Sequence, residues 1–202
     1  MINNKRDYKE YLYKDKMSLG IHESFLRRVF FPDRVCLFER QLRRLEYLNN
    51  CKHGLFWKIV MLYAKIRFYK LSVKLGFSIP INVFGPGLSI AHYGNIVVNS
   101  NARIGANCRL HSGVNIGASG GGKNAPVIGD NCYIGPGAII FGDVTLADNI
   151  TIGANATVNR SCGQERVVLA GTPAKIVKEN TNNWLEFNKI KSSETDNEQH
   201  NG

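Results

Sequence analysis

The sequence predicts an α+β chain. A helical segment occupies residues 1–76, a left-handed parallel β-helix of hexapeptide repeats follows over 77–178, and a short helix with a polar tail fills 179–202. Two observations carry this prediction. Every sixth residue from Val98 to Val158 is aliphatic (Val98, Ile104, Leu110, Ile116, Ile128, Ile134, Ile140, Leu146, Ile152, Val158), and Gly122 is the one exception. That period is neither the ~2 of a strand nor the ~3.6 of a helix. It is the beat of a parallel β-helix, in which three hexads close one triangular coil and the aliphatics stack inward. Charge is the second observation: residues 1–80 hold 17 Lys and Arg against 7 Asp and Glu, whereas 81–202 hold 9 of each. The net +10 therefore lies wholly in the helical segment.

In that segment, Cys36–Asn50 places Phe38, Leu42, Leu45 and Leu48 on one side and Arg40, Arg43, Arg44 and Glu46 elsewhere, an amphipathic helix. Leu55–Leu75 is a second helix, with Ile59, Tyr63, Ile66 and Lys70 along a mixed stripe and Gly76 as its stop. Pro80–Gly87 breaks the helical pattern and leads into the coils. Within the hexads, Gly often follows the aliphatic residue, and a small residue (Ala102, Cys108, Cys132, Ala138, Ala156) stands four after it. Ala170–Lys175 forms a turn after the final coil, a short helix surrounds Trp184–Ile190, and Ser192–Gly202 is a disordered tail.

Gly117–Pro126 replaces the hexad that would centre on Gly122, and the frame resumes at Ile128. The chain therefore loops out and returns in phase, and such loops on rigid scaffolds commonly carry function. The loop fits the first part of a phosphate-binding P-loop, Gly117-x4-Gly122-Lys123. Asn124 stands where that pattern needs Ser or Thr, and no helix follows, so nucleotide hydrolysis is excluded. Five cysteines without metal or disulfide spacing read as packing residues of a reduced compartment, Cys108, Cys132 and Cys162 at the small-residue position. Two coil histidines are too few for a zinc site. The N-terminus has no apolar signal core, and Lys58, Lys65 and Arg67 interrupt the most apolar stretch. The expected location is cytoplasmic, with peripheral contact to the inner membrane face through the basic segment. No nucleic-acid signature accompanies that charge.

His92, in Leu88-Ser-Ile-Ala-His-Tyr-Gly-Asn-Ile-Val-Val, breaks an apolar run just before the regular hexads. An imidazole takes up a proton near neutral pH and suits general-base work. His111 occupies an outward position, facing either bulk solvent or a substrate.

With these residues the chain resembles the hexapeptide-repeat acyltransferases, on the serine acetyltransferase-like branch. The matching stretches are His92–Val98, Val114–Gly117 with the Gly-rich loop, Ile134–Ala138 and Ala170–Val177. The resemblance implies a homotrimer that uses acetyl-CoA as co-substrate, with no metal. His92 is then the base that deprotonates an acceptor hydroxyl for direct attack on the thioester. Ala118, Ser119, Pro136 and Ala154 correspond to backbone positions along CoA, and Lys175 to a phosphate contact.

The sequence departs from the serine enzymes in three places. Ala91 replaces the Asp before the catalytic His, Asn124-Ala125 replaces an Arg-His pair, and no Asp or Glu occurs from Tyr47 to Gly129. Asn82 is the first choice to orient His92, with Asn95, a backbone carbonyl or a distant carboxylate as alternatives. The Asn-rich surroundings (Asn82, Asn95, Asn99, Asn101, Asn115) suit a neutral polyhydroxylated acceptor, with His111 and Asn95 as substrate contacts. The expected activity is O-acetylation of a sugar hydroxyl of a surface polysaccharide, free or lipid-linked. Serine O-acetylation for cysteine synthesis is the alternative, and a non-catalytic trimeric scaffold is the alternative of another class.

Overall fold

The computed structural model describes residues 1–20, 33–179, 181 and 183–186. The tail and the second half of the expected C-terminal helix lie outside the described residues. Among the described residues three long helices come first: α1 (Lys5–Leu19), α2 (Arg34–Cys51) and α3 (Leu55–Leu75). Asn4 caps α1 by accepting from the backbone N–H groups of Arg6 and Asp7, and Asp33 caps α2 through Cys36 N–H. Gly76 ends α3 in the left-handed conformation, φ 77°, as its sequence position anticipated. Among the described residues, no helix is long and apolar enough to cross a membrane.

The coil is three sheets of very short strands. Sheet A holds β1 (Phe77–Ser78), β3 (Ile96–Val98), β6 (Asn115–Gly117), β9 (Ile139–Phe141) and β12 (Thr157–Val158). Sheet B holds β4 (Arg103–Ile104), β7 (Val127–Ile128) and β10 (Thr145–Leu146). Sheet C holds β2 (Ser89–Ile90), β5 (Arg109–Leu110), β8 (Tyr133–Ile134), β11 (Thr151–Ile152), β13 (Val168–Ala170) and β14 (Lys175–Lys178). All pairings are parallel except β13 with β14, which folds back antiparallel at the end.

Register shows how the loop keeps phase. Val98 pairs with Ile116 and Ile134 with Ile152, a spacing of 18 residues, or three hexads. Leu110 pairs with Ile134, a spacing of 24, because the chain spends one extra hexad on the loop. The beat residues Leu110, Ile116, Ile134, Ile140 and Ile152 are fully buried, as are Ala102, Cys132, Ala138 and Ala156 at the small-residue position. Burial raises the Cys108 thiol well above its ordinary range and pushes Cys132 up to about 12, so both act as packing groups. Cys162 also packs against the core, half-buried beside Leu146. Gly105, Gly129 and Gly135 after their beat residues have a steric cause: a Cβ on Gly105 would sit 2.8 Å from the carbonyl carbon of Gly129 in the next coil.

The helices cap the first coil. Phe38, Leu42, Leu71 and Leu75 join the same hydrophobic core as Phe77, Ile79, Ile90 and Ile96. The amphipathic reading of α2 holds for its apolar side but not for Arg43 and Glu46, which are buried rather than solvated. Arg43 bonds Asp15 Oδ2 at 2.8 Å and Glu46 Oε2 at 2.9 Å. It also donates to the carbonyls of Phe84 (3.0 Å) and Gly85 (2.6 Å). Asp15 accepts from Gly87 and Leu88 N–H, Glu46 from Asn82 N–H, and Glu39 from Ile90 N–H. These side chains meet backbone groups that a preceding coil would otherwise satisfy.

Candidate active site

Each corner of the triangular coil stacks equivalent residues from successive turns. At the corner between sheets C and A, the registers of β5 with β8 and β8 with β11 align Ser112, Pro136 and Ala154 in one column, and His92 enters the same corner from β2, two residues before Gly94, which packs over Ser112. Backbone bonds fix the column: Gly137 N–H donates to Ser112 O, and Asn155 N–H to Pro136 O, both at 2.9 Å. Val114, Ala138 and Ala156 anchor the corner inside while the column itself faces out. The imidazole of His92 is exposed at this open edge.

His111 stands beside it, with ring centroids 6.2 Å apart, and Tyr133 lies 5.0 Å beyond His111. The Nε2 of His111 is buried and has no hydrogen-bond partner. Partial burial, helped by the nearby charges of Arg109 and His92, lowers the His111 pKa from its ordinary value. His111 is thus neutral at pH 7 and presents an unused nitrogen next to the exposed ring. Asn95, the other expected substrate contact, sits exposed at the same corner, its backbone carbonyl taken by Gly113 N–H.

Asn82 does not join them. It lies at the corner between sheets A and B, in the left-handed conformation, and its amide exchanges two hydrogen bonds with Asn50 at 2.9 and 3.0 Å. Its side chain ties α2 to the coil instead of holding an imidazole. The asparagine field is also partly structural: Asn99 accepts from Asn101 N–H, and Asn101 donates to the Lys123 carbonyl. Both serve the turn beneath the loop rather than a ligand.

The expected CoA positions divide between two edges. Pro136 and Ala154 are exposed in the Ser112 column, at the corner that holds His92. Ala118 and Ser119 lie at the opposite edge of sheet A, on the Gly117–Pro126 loop, where Ser119 O accepts from Gly122 N–H and Asn124 donates to Asp143. Lys175 is exposed on β14. Among the described residues no three His, Cys, Asp or Glu gather as a metal would require.

Sequence reasoning missed Arg109 and Tyr133, paired positions of β5 and β8 flanking His111. Arg109 donates to Ser89 Oγ at 2.9 Å and lies 5.5 Å from the Trp184 ring. Only the 24-residue register brings Tyr133 to His111, and that spacing depends on the loop insertion.

Residues 125–160 match the family model described as bacterial transferase hexapeptide (six repeats). Over 97 residues the chain is 39% identical to a serine acetyltransferase of Staphylococcus xylosus, covering 47% of this chain and 44% of that protein. Over 100 residues it is 34% identical to a serine acetyltransferase of Mycobacterium tuberculosis, covering 48% and 43%. The coil is thus similar to hexapeptide-repeat transferases, and within them to serine acetyltransferases. The matched stretches span under half the length of these curated relatives. Among solved structures, the serine acetyltransferase of Brucella abortus strain S19 superposes with a TM-score of 0.70 at 23% identity, covering 88% of this chain and 71% of that one. A serine acetyltransferase in complex with CoA gives 0.65 at 23% identity, covering 86% and 71%. These likenesses extend the shared fold beyond the serine acetyltransferase-like coil into the helical segment.

Proposed function

We propose that the chain is an acetyl-CoA-dependent O-acetyltransferase with His92 as its general base. The carrying observation is the exposed His92 at the corner of the Ser112–Pro136–Ala154 column, its ring beside that of His111, an open edge along which an extended thioester can lie. In the reaction His92 accepts the proton of an acceptor hydroxyl, whose oxygen forms the new bond to the acetyl carbon. The carbon–sulfur bond breaks, and the proton passes from His92 to the departing thiolate of CoA. Backbone N–H groups of the edge hold the intervening oxyanion. Pro136 and Ala154 line the CoA arm, Ala118 and Ser119 approach it from the loop, and Lys175 meets a phosphate. One chain holds these two groups on opposite edges of sheet A, so a homotrimer of left-handed coils, each presenting its loop edge to a neighbour's His92 edge, completes the site.

L-Serine is the acceptor best supported. The support is the likeness of the coil to two serine acetyltransferases. This reverses the order expected from sequence, which put a polysaccharide hydroxyl first. A sugar hydroxyl stays as the second reading for one reason: the span Tyr47–Gly129 has no acid to meet the serine ammonium.

The test follows CoA thiol release by the full chain given acetyl-CoA with L-serine or with a panel of free and nucleotide-linked sugars. Saturable release with L-serine and background rates with sugars are expected. Saturable release with a sugar alone overturns the serine acceptor. No release with any acceptor, and no heat on calorimetric titration with CoA, overturns the enzyme in favour of a scaffold.

A further inference from the structure

Helix α3 is apolar on two opposite sides. Val60, Met61, Ala64, Phe68, Leu71 and Leu75 face the protein. The other side presents Leu55, Ile59, Leu62, Ile66, Tyr69 and Val73, which are 48% to 77% exposed, and Phe56 and Tyr63 widen the stripe. A helix that is apolar all round is normally covered on every side. Cations line both borders of this open stripe, Lys58 and Lys65 on one and Arg67, Lys70 and Lys74 on the other, and the helix carries no acid.

Beside it, α1, α2 and α3 enclose a cleft of about 360 Å³. Arg40, Arg44 and Arg67 line it together with Tyr8 and Gln41. Among the described residues none of the three guanidiniums is ion-paired. The Gln41 side-chain oxygen is buried without a partner. Three guanidiniums without a carboxylate partner among the described residues, Arg67 resting over the Tyr63 ring, beside an unused acceptor suit a headgroup that carries a phosphate and a hydroxyl.

The stripe spacing of four, then three, residues also fits a seam between two helices. A second copy of α3, parallel or antiparallel, would however set cation against cation along both borders, a like-charge arrangement that works against pairing. An anionic bilayer meets both the apolar stripe and its cationic borders. We infer that α3 docks this protein on an anionic phospholipid surface, with the Arg40–Arg44–Arg67 cleft holding a lipid phosphate. The inference stands apart from the acetyl-transfer reading, because none of these residues belongs to the coil.

The experiment is sedimentation of the full chain with phosphatidylcholine vesicles and with vesicles containing phosphatidylglycerol. Binding is expected to the anionic vesicles and to be weakened by salt. An Arg40→Ala/Arg44→Ala/Arg67→Ala variant should lose about a hundred-fold in affinity, three surface cations at roughly five-fold each. An Ile59→Ser/Leu62→Ser/Ile66→Ser variant should lose at least as much. Circular dichroism and thiol release from acetyl-CoA serve as fold and activity controls and should not change in either variant. Failure of the wild type to sediment with anionic vesicles, or equal binding to neutral ones, overturns the inference. So does a loss of molar mass in the serine variant, without vesicle binding by the wild type, since the stripe would then belong to a second copy. Heat from inorganic phosphate that the arginine variant abolishes, again without vesicle binding, assigns the cleft to a free anion and also overturns it.

Discussion

The coil and its helical cap solve one problem by different chemistry. Inside the coil, each turn satisfies the backbone of the next, as Gly105 N–H does with Ile128 O at 2.8 Å, and the carboxylates that join in, Asp130 on Ala106 N–H and Asp148 on Asp130 N–H, lie at its exposed surface. The first turn has no coil beneath it. There Asp15, Glu39, Arg43 and Glu46 reach from α1 and α2 to the backbone of residues 82–90. A solenoid end needs a cap because its exposed strand groups would otherwise be orphaned. Repetition holds one region together, and buried charge the other.

The sharpest way to break that contrast is to remove the central cation. Arg43→Ala leaves two carboxylates, Asp15 and Glu46, buried without their partner and two carbonyls without a donor. A loss of about 3–5 kcal/mol in urea-unfolding free energy is expected. In the coil, Ile134→Ala removes a fully buried beat residue and should cost about 2–5 kcal/mol by the same measurement. A negligible loss for Arg43→Ala beside a full loss for Ile134→Ala would show that the cap does not depend on its charges. Gly105→Ala is smaller, about 1–3 kcal/mol, because the added methyl meets backbone of the next coil.

A pH dependence sharpens the comparison further. The His111 pKa is lowered in the folded state, so below its ordinary value the unfolded chain binds more protons. Its contribution to stability is complete above about pH 6.5 and declines as pH falls from there toward the lowered folded value. Glu39 acts in the opposite sense. Burial and neighbouring Asp15 hold its carboxyl well above the ordinary range, against the Ile90 N–H, so its penalty grows as pH rises. The readout is therefore a difference: wild type minus His111→Gln, followed by thermal melting from pH 7.5 downward. That difference should shrink for the wild type on acidification through about pH 6.5. A difference constant with pH would mean His111 titrates normally.

The coil was legible because a six-residue beat has no other structural reading, and each hexad restates it. The loop insertion was legible for the same reason, since Gly122 breaks the beat and Ile128 restores it. The site was legible only in part. His92 stands out as a polar residue in an apolar run, but its neighbours follow from register, which changes from 18 to 24 residues across the loop. Hence Ser112, Tyr133 and Arg109 went unnoticed, and Asn82, nearby in sequence, was assigned to an imidazole that lies at another corner. Arg43 and Glu46 were read as solvent-facing because helical periodicity shows where apolar residues point. It does not show that an open coil end draws charge inward.

The central claim is that the exposed imidazole of His92, at the corner between sheets C and A, accepts the proton of an acceptor hydroxyl. Acetyl transfer to L-serine by His92→Ala, with CoA affinity measured on the same sample, tests it most directly. The account predicts turnover lower by about 10²–10⁴-fold, with CoA affinity and thermal melting unchanged. Turnover equal to that of the wild type would contradict it.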